Sequence, residues 1–225
     1  MSLSFRNVTI ITILLLSGCD NEPQFSCDPT VDAFVKNKLD ELTSIERREL
    51  VKYATGVQRA VFRAKTAEQQ FGLWSTKYHE MLSSPGWSES EKNHIRKVSL
   101  FLDRKFFEAP TEHENLIKAF INEWGNYGAQ TFKWDNRTLF LILNTLYIDR
   151  QEVDAAYKAR LRSSARTVSS EEDCECSDPQ GVIIKDCDLI EPNCDEGATC
   201  TILLSGCGSF YLSSCRGLCT SDSGE

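Results

Sequence analysis

The sequence predicts an all-α helical bundle followed by a short-stranded, disulfide-stapled C-terminal module, that is, an α fold plus a small disulfide-rich domain. Three observations carry this expectation. Apolar residues recur at three and four through the middle of the 225-residue chain; eight of the ten cysteines crowd into its last quarter; and charge divides at the same place. From Thr167 to Glu225 the acidic residues outnumber the basic ones, Lys185 and Arg216, by ten, whereas the whole chain carries a net charge of −8. The part before Thr167 is therefore slightly basic, and the asymmetry marks a domain boundary.

The chain begins with a short start bearing Arg6 and an uncharged, Ile- and Leu-rich run from Val8 to Gly18. As a helix, that run would extend roughly 16 Å, about half of a bilayer's hydrocarbon core, so a secretory leader is expected over residues 1–18 rather than a membrane span. Leu16-Ser17-Gly18-Cys19 resembles the bacterial lipoprotein signal, in which small residues precede a cysteine that is acylated and becomes the mature N-terminus. The resemblance implies lipidation at Cys19 and anchoring in a membrane of the envelope. Residues 19–27 then form a tether reaching at most about 27 Å. The outer membrane or cell surface is expected ahead of the inner membrane.

Residues 28–162 are expected to fold as the all-α domain. The stripes Phe71-Trp74-Tyr78-Met81, Ile95-Val98-Leu102-Phe106 and Leu116-Phe120-Ile121-Trp124 have helical spacing. Thr43/Glu46, Thr66/Gln69, Ser88/Glu91 and Thr111/Glu114 all fit the capping box, in which two residues satisfy each other's exposed amides, and Asp28-Pro29 supplies another start. Breaks are expected at Pro85-Gly86 and Pro110, and a buried helix around Leu139 to Tyr147. Residues 163–173 are small, polar and charged, which suits a linker.

The module at 174–219 contains Cys174, Cys176, Cys187, Cys194, Cys200, Cys207, Cys215 and Cys219, with residues 220–225 as a tail. In an exported chain this density reads as a disulfide framework of four bridges, with connectivity left open. Zinc fits poorly, because the cysteine gaps lack the knuckle spacing and the tail has no histidine. Val182-Ile183-Ile184, Ile202-Leu203-Leu204 and Phe210-Tyr211-Leu212, separated by turn residues, read as short strands. Cys27 is left over, and three fates are open to it: a free thiol, a bridge between chains, or displacement of a tail cysteine from its bridge.

No catalytic signature appears. His79, His94 and His113 fall on separate predicted helices, His79-Glu80 lacks a second histidine at Ser83, and no nucleophile elbow, phosphate loop or dinucleotide fingerprint occurs. A non-enzyme with no cofactor and no metal site is expected. His113, between two glutamates in a first turn, is expected to be solvated. Of Trp74, Trp87, Trp124 and Trp134, only Trp87 follows a loop signal and is singled out for an exposed contact. The acidic tail excludes nucleic acid as its partner.

The plan of leader, helical segment and eight-cysteine end resembles the bacteriocin fulvocin C-related proteins. Cys174-Glu175-Cys176-Ser177 opens the matching tail, and Gly206-Cys207-Gly208 with Cys215-Arg216-Gly217-Leu218-Cys219 closes it. The resemblance implies an antibacterial cysteine-rich domain with the helical part as its carrier or shield; such an effector would be delivered by contact or released by proteolysis near Arg162 to Arg166. Anchoring and acidity favour another function class, a non-toxic envelope lipoprotein whose disulfide-rich tail binds a partner or ligand.

Overall fold

The computed structural model describes residues 23–163, 172–174, 193–195, 202–215 and 217–220. The expected leader, Cys19 and the Val182-Ile183-Ile184 run lie outside these residues. The helices are α1 (Pro29–Asn37), α2 (Leu39–Ser44), α3 (Arg47–Leu50), α4 (Thr55–Ala64), α5 (Ala67–Ser83), α6 (Glu89–Phe101), α7 (Lys105–Glu108), α8 (Pro110–Phe132), α9 (Asn136–Asn144) and α10 (Arg150–Ser163). Five short strands follow: β1 (Glu172–Cys174), β2 (Asn193–Asp195), β3 (Leu203–Cys207), β4 (Ser213–Cys215) and β5 (Gly217–Thr220). They form an antiparallel sheet of order β1-β5-β2 and a separate β3-β4 pair. The backbone register of the first sheet sets Cys194 directly opposite Cys219.

Local signals explain most helix starts. Asp28 caps α1 by accepting from the Thr30 and Val31 amides, with Pro29 in the first turn. The reciprocal boxes Thr66/Gln69 and Ser88/Glu91 are both formed. Partial burial would raise the Glu91 carboxyl, but hydrogen bonds from Ser88 and Trp134 outweigh it and hold Glu91 below its usual range. The other two boxes are not formed. Thr43 lies inside α2 and donates to the Leu39 carbonyl, while α8 starts at Pro110 from Ala109, which puts Thr111 within the helix. In the latter case proline, with its φ fixed near the helical value and no amide to leave unpaired in the first turn, sets the start.

The α5 and α6 stripes face the core as expected, with Phe71 only partly buried, but on α8 the core face is Ile117, Ile121 and Trp124, and Leu116 is 54% exposed. Phe106 sits on α7 rather than extending α6. Trp87, the one tryptophan singled out for an exposed contact, is buried and donates from Nε1 to the Ile148 carbonyl at 3.1 Å. Its ring meets Trp134 edge to face, so the Pro85-Gly86 turn delivers it inward.

Helix α8 ends at Lys133, in the left-handed region at φ 57°, and the chain folds Trp134 back over Gly128. A Cβ at Gly128 would come within 2.5 Å of the Trp134 ring, so the close approach requires glycine. Helix α9 is buried on all sides, from Thr138 to Asn144. Its terminal carbonyls are met from α5: Lys77 Nζ donates to Leu141 and Ile142 at 2.8 and 2.7 Å and to Thr145, and the Tyr78 hydroxyl donates to Ile142. A helix C-terminus presents unsatisfied carbonyls and partial negative charge, which a buried ammonium matches. The Lys77 ammonium lies 4.6 Å from the Trp74 ring centroid, and burial, with Arg47 nearby, pulls its pKa well below the usual lysine value.

Two more cations do similar work. Lys65 donates to the Thr43 and Ile45 carbonyls where α2 ends. Arg47, itself 2% exposed, donates to the Leu146 carbonyl beyond α9 and pairs with Glu80 and Glu152, joining α3, α5 and α10.

The tail does not sit apart from this bundle. Phe210, Tyr211 and Leu212 belong to the same buried cluster as the helical core, whereas Leu203, Cys207, Cys215 and Leu218 form a second, smaller cluster with Cys27. The expected Phe210-Tyr211-Leu212 strand is instead a one-turn 3-10 segment, Ser209–Tyr211, with Phe210 and Tyr211 at φ 58° and 59°.

Replacing Lys77 by methionine, which keeps the stem but removes a donor from three buried carbonyls and leaves that of Thr145 without its side-chain partner, is expected to cost about 3 kcal/mol, read as a lower urea midpoint. Gly128→Ala is expected to lower the same midpoint, because overlap with Trp134 outweighs the gain in helix propensity of about 1 kcal/mol. An unchanged midpoint in either variant would contradict the respective contact.

Candidate functional site

Two places carry chemistry that simple bundle packing does not account for: the seam where the tail enters the helices, and a cleft between α6 and α8.

At the seam, Phe210 and Tyr211 are fully buried. The Trp74 ring meets both edge to face, each at 5.5 Å between centroids, and Phe62 meets Tyr211 at 5.2 Å. Left-handed backbone at a bulky residue costs roughly 1–2 kcal/mol, but burying each aromatic side chain returns about 1.5–3 kcal/mol, so packing can hold the turn. Ser209 Oγ donates to Asn144 Oδ1 at the end of α9. Helix α4 supplies the polar half of the seam. The Arg59 guanidinium lies over the Tyr211 ring and approaches Cys207 Sγ. Arg63 donates through Nε to the Ser205 carbonyl, through one terminal nitrogen to the Phe25 carbonyl, and through the other to Cys215 Sγ. Gly206, at φ 104°, leaves that arginine its space, since a Cβ there would fall 2.3 Å from Nε.

Cys207 and Cys215 are joined by a disulfide that closes the β3-β4 pair around the buried turn. A closed loop of this kind removes conformations from the unfolded chain. Cys27 is also disulfide-bonded, to a cysteine outside the described side chains. It is thus neither the free thiol nor the interchain link that the sequence left open. Side chains of Cys174, Cys176, Cys187, Cys194, Cys200 and Cys219 lie outside those described. The same region shows that the stretch after Cys19 is not all tether: Phe25, Ser26 and Cys27 are buried, and Asp32 Oδ1 accepts from the Phe25 and Ser26 amides. This contact was invisible in sequence, where only Asp28 carried a cap signal.

The cleft lies between α6 and α8. Lined by His94, Lys97, Phe120, Glu123, Trp124, Asn126, Tyr127 and Gln130, it encloses about 430 Å³. His94 is 3% exposed. Its ring stacks on Trp124 at 4.7 Å, nearly parallel, and also meets Tyr127 at 4.7 Å. Nε2 lies 2.9 Å from the Trp124 carbonyl, and the Trp124 indole donates back to the His94 carbonyl. A carbonyl only accepts, so Nε2 carries the proton and Nδ1 presents a lone pair that meets no donor. Burial, reinforced by Lys97, lowers the His94 pKa despite the Trp124 carbonyl, which favours the charged form. His113 is half-buried against Phe106, not simply solvated.

Among the described residues no group of three or more His, Cys, Asp or Glu is placed to hold a metal ion, and no helix is long and apolar enough to cross a membrane. Comparison with protein-family models, curated proteins and solved structures found no match.

Because folded His94 holds a proton less tightly than an unfolded histidine, whose pKa is about 6.5, the unfolded chain takes up more protons as pH falls through that value. The stabilisation is therefore complete above about pH 6.5 and declines below it, toward the lower folded pKa. Denaturant titrations at several pH values are expected to show this slope in the native chain and to lose it in His94→Phe; an identical slope in both would remove His94 as the cause. Tyr211→Ala is expected to destabilise by about 3–5 kcal/mol, read in the same titrations. A loss confined to the tail, with the helical signal unmoved, would show that the seam does not couple the two parts.

Proposed function

We propose that this protein is an envelope lipoprotein, acylated at Cys19, in which the cysteine-rich tail and the helices act together as one membrane-held binding body. The burial of Phe210 and Tyr211 between Trp74 and Phe62 carries this reading. A tail released as a diffusing peptide would leave those rings, and the Arg59 and Arg63 guanidinium groups, without their partners. It would also carry away two aromatic side chains with no core of their own. An effector made for release would be expected to fold around its own bridges instead.

Charge supports the same choice. The segment from Thr167 onward is strongly acidic, which suits a cationic partner and opposes approach to anionic envelopes or nucleic acid. The lipid anchor and a tether shortened to residues 20–24, reaching about 17 Å, would hold this body close to its membrane. The outer membrane or cell surface is the proposed location, and binding rather than catalysis the proposed activity.

The test is a protease site inserted between residues 164 and 171 of the lipidated chain. After cleavage, the tail is expected to stay with the helical part on native gel filtration, with and without mild reductant, and the preparation to leave neighbouring bacteria unharmed. Dissociation of a folded tail that inhibits those bacteria would overturn the binding-body reading in favour of the bacteriocin one. Intact mass of the envelope form is expected to show a lipid increment that Cys19→Ala abolishes.

A further inference from the structure

The α6-α8 cleft is distinct from the tail seam and independent of the reading just given. Its volume, about 430 Å³, falls in the range of roughly 300–1,000 Å³ typical of small-molecule sites. Three properties restrict what would fill it.

First, its walls are aromatic and partly open. Tyr127 is 49% exposed although its ring is fixed between His94 on one side and the Lys97 ammonium, 5.1 Å from its centroid, on another. Phe120 is held by near-parallel stacking on Phe101 at 3.8 Å. A side chain so held loses little entropy when a flat apolar face packs on it. Second, the rim is polar in a particular way. Glu123, Asn126, Tyr127 and Gln130 succeed one another at three, four and seven along α8 and so share a helix face. Amide and carboxylate groups in a row offer acceptors and donors together, and the single cation, Lys97, is balanced by the single anion, Glu123. Third, the His94 Nδ1 lone pair is buried without a donor. The ring is therefore neutral and adds no charge to the wall, so Lys97 and Glu123 are the charged groups of the lining.

We propose that this cleft binds a neutral saccharide of one or two rings. A sugar ring has an apolar C–H face that packs on tyrosine or phenylalanine, and an edge of hydroxyls that both donate and accept. It carries no charge to disturb the Lys97–Glu123 balance. A polyanion would meet Glu123, and an aliphatic ligand would leave the Asn126 and Gln130 amides unpaired.

The experiment is calorimetric titration of the full lipidated chain in detergent with maltose, cellobiose and N,N′-diacetylchitobiose, followed by the tryptophan emission of the cleft. At least one disaccharide is expected to bind with a Kd of about 1 mM or tighter. Tyr127→Ala is expected to weaken that binding about tenfold, with an unchanged melting temperature because the ring is half-exposed. Tyr127→Phe, which keeps the face, is expected to bind as the native chain does. Three outcomes would overturn the proposal: no disaccharide in the panel binds; Tyr127→Ala binds as tightly as native, which places the sugar elsewhere; or free tryptophan and tyrosine, titrated in parallel, bind in place of the sugars. Retention of the tail after cleavage, tested above, is a separate result, so failure here leaves the seam reading intact.

Discussion

The burial of Phe210 and Tyr211 beneath Trp74 is the contact on which the rest of the architecture depends. A short cysteine-rich segment cannot remove enough apolar surface from water to define its own interior. Here the helical core accepts two of its aromatic rings, and the disulfide between Cys207 and Cys215 closes the chain around them. Two consecutive bulky residues in left-handed backbone are a local penalty. They persist because the surrounding side chains leave no other place for the rings.

The same core is arranged around buried cations. Lys77, Lys65 and Arg47 each donate to main-chain carbonyls where a helix stops, and Arg63 meets carbonyls that lie at no helix end, those of Phe25 and Ser205, in the same way. The first three solve the same problem, since a buried helix end must find donors for carbonyls that no further turn can satisfy. Long side chains allow the donor to come from another helix, so these contacts also fix how the helices sit against one another. Arg63 extends the scheme to the tail and to the residues following Cys19, joining three distant parts of the chain at one guanidinium group.

Function follows from what this joining permits. A tail pinned by its rings and by Arg63 is suited to presenting a fixed surface, and the cleft at His94 adds a second fixed surface between α6 and α8. The cleft owes its shape to an aromatic set, Trp124, Tyr127, Phe132 and Trp134, gathered around one neutral imidazole. Its neutrality matters. A proton on Nδ1 would place an unpaired charge among rings and beside Lys97.

By itself the sequence determined the features that depend on neighbours in the chain. Helical spacing located α5, α6 and α9; Asp28-Pro29, Thr66/Gln69 and Ser88/Glu91 located their starts or those of adjacent helices; and the cysteine count announced a bridged C-terminal part. These signals act over a few residues, so they can be read without the fold. Only the tertiary structure decided that Trp87 would turn inward, that Leu116 would face outward, and that Phe210-Tyr211 would form a buried turn instead of a strand. The Lys77 and Arg63 contacts, the cleft around His94 and the bridging of Cys27 belong to the same class. Each pairs residues tens of positions or more apart in sequence, and what decides it is the competition for space and for hydrogen-bond partners in a shared core, which no local pattern records.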